Sequence, residues 1–155
     1  MKKMKQIIIV RKDLNMSKGK MAAQVAHASM AFLINALKKA SPLSYTSNII
    51  SPIVYKSILY IPEDIYQDWI CGSFTKVILE AKNKYQLEKV YTIANELGLR
   101  EGIDYFPIKD NCYTELEPEE VDENGIGRTL TCVGFIPLND EIASKISKKY
   151  QLYKD

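Results

Sequence analysis

Short, dense apolar runs alternate along the chain with longer stretches in which apolar residues return every third or fourth position. That is the pattern of strands followed by helices. Ile7, Ile8, Ile9 and Val10 form a continuous β-branched run, which predicts a strand over residues 5–11 buried on both faces. After a polar turn, Arg11 to Asn15, apolar residues recur at Met21, Val25, Ala28, Phe32 and Ala36. This stripe predicts a helix from Ser17 to about Lys39. The Ser17 hydroxyl can cap its first turn, and Ser41-Pro42 ends it, because the residue before a proline avoids helical backbone.

Residues 74–81 read as a second strand, parallel to the first because a long helix separates the two. Leu87, Val90, Ile93, Ala94 and Leu97 line the next helix, which starts at Asn83 or Lys84 and stops at Gly98. Ile103 to Ile108 is a short third strand, with Asp110 just past its end. Arg128 to Pro137 is a fourth, in which Thr129, Thr131, Val133 and Phe135 alternate against Leu130, Cys132 and Ile136. Leu138 to Tyr150 closes as an amphipathic helix through Ile142 and Ile146. The order β-α-β-α-β-β-α predicts one α/β domain, a mixed sheet of about four strands with helices on both faces.

Residues 41–68 interrupt this order. Pro42, Pro52 and Pro62 break the segment, and Tyr45, Tyr55, Tyr60 and Tyr66 enrich it. Ile58 to Ile61 reads as a short strand, and 63–70 as a helix behind Pro62. Such an aromatic stretch could cap a site, stack on RNA bases or join two copies of the chain. Tyrosines in a segment poor in glycine more often pack, which favours packing or a homodimer contact.

Composition adds limits. The 155 residues are 46% hydrophobic and 26% charged, ordinary for one globular domain. No apolar run approaches the ~20 residues of a membrane span, and the basic N-terminus lacks the apolar region of a signal peptide. These readings place the protein in the cytoplasm, with no membrane partner. Cys71, Cys112 and Cys132 are far apart, without C-x-x-C spacing, so reduced thiols are expected. His27 is the only histidine, which excludes a metal centre built from several histidines. The net charge of +2 is uninformative, but the first 20 residues hold seven Lys or Arg, and six of the nine residues from Glu115 to Glu123 are acidic. The basic end could attract phosphate.

Candidate chemistry gathers on the first helix. Lys20, Gln24 and His27 are spaced i, i+4 and i+7, so their side chains stack along one side. Alanines 22, 23, 26, 28 and 31 leave room around them. Arg11, Lys12 and Lys18 add cations at the helix start. Spacing alone is compatible with a site or with an ordinary amphipathic helix.

The string Val10-Arg-Lys-Asp-Leu-Asn-Met-Ser-Lys-Gly-Lys-Met-Ala-Ala-Gln-Val-Ala-His-Ala28 resembles the opening signature of the archaeal/eukaryotic-type peptidyl-tRNA hydrolases, the Pth2 family. Trp69-Ile-Cys-Gly-Ser-Phe-Thr-Lys-Val-Ile-Leu79 resembles that family's tryptophan, glycine and following strand. Ile108-Lys-Asp-Asn-Cys-Tyr-Thr-Glu115 resembles its Asp-x-Gly-x-Thr stretch. The resemblance covers most of the chain, but not 41–68 and not clearly 117–128.

The resemblance implies hydrolysis of the ester joining a peptide to the 3′ ribose of tRNA, without cofactor or metal. Asp110 would act as base or orient the water, and Thr114 would position one or the other. Lys20 would lower the pKa of Asp110 or stabilise the oxyanion. Gln24 suits the ester or peptide carbonyl. His27 would protonate the leaving oxygen, or fix Lys20 or the loop. Arg11, Lys12 and Lys18 are the phosphate contacts. Other readings are a different ester substrate or a non-catalytic tRNA- or protein-binding module. Cys112 stands where the family pattern has glycine. If that glycine supplies a positive φ, the loop must take another shape here. Glu115 replaces an uncharged amide and would repel tRNA phosphate if it faced it.

Overall fold

The β-branched run at the N-terminus becomes the middle of a sheet. The computed structural model describes residues 3–43 and 54–155. In chain order these form β1 (Met4–Arg11), α1 (Lys18–Leu37), β2 (Ser41–Pro42) and β3 (Tyr55–Lys56). A wide, π-type helical segment, Ile65–Ser73, is broken at Gly72 and leads to β4 (Lys76–Ala81) and α2 (Lys84–Glu96). Then come β5 (Tyr105–Asp110), β6 (Glu120–Val121), β7 (Gly127–Phe135), β8 (Leu138–Asn139), α3 (Asp140–Ser147) and β9 (Gln151–Leu152). Among the described residues no helix is long and apolar enough to cross a membrane.

The main sheet has the path β5-β7-β1-β4-β9, with β6 added to β7 and β8 to β1. β4 lies parallel to β1, as expected for a crossover through a helix. Among the described residues the sheet has seven strands where about four were expected. The four long strands are the expected ones. The additions β6, β8 and β9 are two residues each, too short to leave an alternation in the sequence. The expected strand at Ile58 to Ile61 is absent. The chain there is irregular, and the pairing in this region is β2 with β3. Residues 44–53, including Tyr45 and Pro52, lie outside the described residues. The closing helix also ends early: α3 stops at Ser147, and the chain returns as β9 along β4.

Burial follows the pleat, in which successive side chains face opposite sides. Ile7, Ile9, Leu79 and Ala81 pack with Leu87, Val90 and Ala94 of α2 and with Ala143 and Ile146 of α3. Ile8 and Val10 face the other way, onto Ala28 of α1, with Met21 and Val25 beside it. Helices therefore cover both faces. Trp69 closes one end with Met4 and Ile65, and its indole N–H donates to the Thr75 carbonyl at 2.9 Å.

α1 comes close to the sheet at Gly134. A Cβ there would stand 2.5 Å from the Ala28 carbonyl oxygen and 2.9 Å from the Ala28 Cβ. Backbone cannot yield as a flexible side chain can, so Gly134 sets how deep α1 sits. Gly134→Ala should lower unfolding free energy by about 1–3 kcal/mol, measured by urea denaturation. An unchanged midpoint would mean that α1 moves off the sheet at no cost.

Candidate active site

Strand directions decide where the chemistry collects. β1 and β5 both run antiparallel to β7, and β4 runs parallel to β1. The carboxyl ends Arg11, Ala81 and Asp110 therefore share one edge, where open α/β sheets tend to bind ligands. α1 starts at that edge. Ser17 caps it through a bond from the Lys20 N–H at 3.2 Å, which sets the first turn and aims Lys20 across β7 toward the end of β5.

Asp110 is the last residue of β5, not one beyond it. Lys20 Nζ lies 2.7 Å from Asp110 Oδ1 and donates to Thr114 Oγ1 at 3.1 Å. Gln24 Nε2 donates to the same Oδ1 at 2.9 Å, and the Cys112 N–H donates to Oδ2 at 3.0 Å. Burial pushes the Asp110 carboxyl up, but the bonds from Lys20, Cys112 and Gln24 outweigh it and hold the group below the usual carboxylate range. Thr114 is exposed and Lys20 partly so, leaving the group open to a large substrate.

Gln24 is 2% exposed, and both ends of its amide are engaged. Its oxygen accepts from the Thr131 hydroxyl at 2.7 Å, so where the sequence suggested a contact to the substrate carbonyl, both ends of the amide are bonded within the protein. Thr131 reaches it because β7 is irregular. Ile108 pairs with Cys132 and Lys109 with Leu130, leaving Thr131 between them. Such a bulge re-aims a side chain, and both Thr131 and Cys132 contact Gln24. In the sequence Thr131 stood out only as one position of a strand.

His27 is not brought to this group. It is exposed and lies seven residues along α1 from Lys20, ~10 Å of helix rise. Arg11, expected among the phosphate contacts, is instead paired within the protein. Its side chain is 4% exposed and forks onto Asp13 at 3.1 and 2.7 Å and onto Glu119 at 2.8 Å twice. Burial works against its charge, yet Asp13 and Glu119 raise its pKa further above the usual guanidinium value. Lys12 lies 3.5 Å from Glu80 and over the Tyr153 ring at 4.3 Å. Lys18, 91% exposed, has Asp155 at 3.7 Å. Among the described residues, no group of three His, Cys, Asp or Glu side chains is arranged to hold a metal ion.

The loop after Asp110 keeps a positive φ without glycine. Cys112 itself has φ 58°, a conformation that costs a non-glycine residue ~1–2 kcal/mol. Its thiol lies 3.4 Å from Thr129 Oγ1. Glu115 turns to α1: Oε2 accepts from the Ser17 N–H at 2.9 Å and Oε1 from the Ser17 hydroxyl at 2.6 Å. These bonds hold its carboxyl below the usual range.

Replacing Thr131 by Val would leave the buried Gln24 oxygen without its donor, at a cost of about 1–3 kcal/mol. Thr131→Ser should recover most of this loss in the same denaturation experiment. Equal stability of the Val variant and the wild type would rule out the buried bond as described.

The chain is similar to known proteins along nearly its whole length. The family described as peptidyl-tRNA hydrolase PTH2 matches residues 4–153. A peptidyl-tRNA hydrolase of Thermoplasma acidophilum is 29% identical over 148 residues, 96% of this chain and 97% of that one. The peptidyl-tRNA hydrolase of Methanopyrus kandleri is 31% identical over 143 residues, 92% of each chain. A solved structure of an Agrobacterium protein of unknown function shares the fold, with a TM-score of 0.52 at 11% identity, covering 99% of this chain and 100% of that one. With its opening signature, its Asp110 loop and nearly its whole length matched, the chain belongs to the PTH2 family of peptidyl-tRNA hydrolases.

Proposed function

We propose that the protein cleaves the ester between a peptide and the 3′ ribose of tRNA by attack of a water held at Asp110 and Thr114. The convergence of Lys20, Asp110 and Thr114 at one open edge carries this reading. A carboxylate offers about four acceptor positions. Lys20, Gln24 and Cys112 use three of them on Asp110, and the fourth takes the water.

Thr114 Oγ1 accepts from Lys20, so its own proton is turned outward to the water or to the carbonyl oxygen. Asp110 takes the water's proton as the C–O bond forms and returns it to the ribose oxygen as the ester bond breaks. A carboxylate held below its ordinary range is a weak base that gives a proton back readily. Lys20 fixes Asp110 as the anion, and its ammonium lies close enough to steady charge on the carbonyl oxygen. Gln24 and Thr131 orient Asp110 from below. Lys18, 91% exposed, and Lys12 are the cations offered to a tRNA phosphate. His27 has no part in this scheme.

The test is release of N-blocked amino acids from tRNA. Asp110→Asn and Lys20→Ala should each lose at least tenfold in kcat, about 1.4 kcal/mol of barrier, while keeping the fold. Wild-type turnover in either variant would remove that residue from the mechanism.

The pH profile gives a second test. Activity needs the Asp110 anion, so the acidic limb should lie below the ordinary carboxylate range. Removing Lys20 takes away a group that favours the anion, so the limb measured on the residual activity of Lys20→Ala should move to higher pH. A limb in the same position would show that Lys20 does not tune Asp110.

A further inference from the structure

Tyr113 lies within the loop that carries the site, and its side chain is 73% exposed. Among the described residues it has no stacking or cation–π partner. Large rings usually find packing partners, so an open one beside reacting groups calls for a reason. Tyr60, 90% exposed beside the far end of α1, is as open, and Tyr85 is comparably exposed with Lys89 over its ring at 4.7 Å, so it is the place of Tyr113 next to Thr114 that sets it apart.

The loop beneath Tyr113 is held on both sides of it. Before it, the Cys112 N–H bonds Asp110 and the Cys112 thiol bonds Thr129. After it, Thr114 bonds Lys20 and Glu115 takes both donors of Ser17. A ring on so pinned a loop is already in place, so little ordering is lost when something binds it.

The chemistry of the substrate fixes what comes to this position. The ester is made to the terminal ribose, so the terminal base is carried on the same sugar as the bond that breaks. Tyr113 is adjacent in the chain to Thr114, ~3.8 Å from Cα to Cα. A nucleoside seated with its ester at Lys20, Asp110 and Thr114 therefore brings its base within reach of this ring.

We propose that Tyr113 is a stacking platform for the 3′-terminal nucleobase of the tRNA, fixing the ribose so that its ester meets Asp110 and Thr114. The proposal rests on the hydrolase reading. A flat ring gives affinity without demanding a particular base, and the phenol oxygen is not needed for it.

The experiment uses two non-hydrolysable ligands, with binding followed by calorimetry or NMR titration. One is an N-acetylaminoacyl group joined by an amide to 3′-amino-3′-deoxyadenosine. The other is the same amide on a ribose that lacks the base. The wild type and Tyr113→Phe should prefer the base-bearing ligand by about tenfold or more. Tyr113→Ala should lose that preference, and its circular dichroism should match the wild type because the replaced ring is exposed.

A preference that survives in Tyr113→Ala would overturn the proposal. So would a wild type that does not discriminate, or that binds neither ligand at millimolar concentration. The corresponding esters, given to wild type and Asp110→Asn, test the hydrolase reading separately. Base-dependent binding without turnover would sink that reading and leave Tyr113 a nucleobase contact. Turnover without base dependence would do the reverse.

Discussion

One buried amide joins the helix to the sheet and sets the electrostatics of the open edge. Gln24 presents its NH2 to Asp110 and its oxygen to Thr131. Were the amide reversed, its oxygen would face a carboxylate and lose a bond where water cannot replace it. The ionised state of Asp110 and the orientation of Gln24 therefore enforce each other. Both depend on how closely α1 lies on β7, which Gly134 permits by offering no side chain beneath Ala28.

A second clamp lies a short distance along the same edge. The buried Arg11 guanidinium gathers Asp13, Glu119 and the Leu130 carbonyl, a planar fork meeting two carboxylates. With it, the acidic stretch after Thr114 stops being a solvated run of charge. Glu115 is spent on Ser17, Glu119 on Arg11, and Asp122 on Arg128 and its own turn. These carboxylates tie the loop down, so the edge meets an approaching polyanion with less free negative charge than the sequence suggests.

The sequence was legible where a period or a motif spans many residues. β1, β4, β5, β7, α1 and α2 all leave such a trace, the Val10 to Ala28 string pointed to Lys20, and the separate Ile108 to Glu115 string pointed to Asp110 and Thr114, which the fold brings together. The failures have physical causes. Gln24 was read as a ligand to the substrate because stacking Lys20, Gln24 and His27 treats one side of the helix as uniform. The sheet buries the middle of that side and leaves His27 in solvent. Arg11 was counted as a cation for phosphate, although Asp13, two residues on, and the acidic stretch were signals of an internal partner. Thr131 was hidden because a bulge breaks the two-residue alternation by which strands are read.

The two outer strands of the sheet carry a consequence for how this protein meets others. At one margin β5 contains Pro107, which has no N–H to offer, and the exposed Lys109. At the other, β9 lies across Leu79 and Glu80 of β4. Free strand edges are templates for runaway pairing between chains, and a proline, a lysine and a short covering strand are means of blunting them. The sheet is thus a poor seed for aggregation and a poor acceptor for a strand from another protein. Recognition falls to side chains and loops, which a nucleic acid can read and a neighbouring backbone cannot extend.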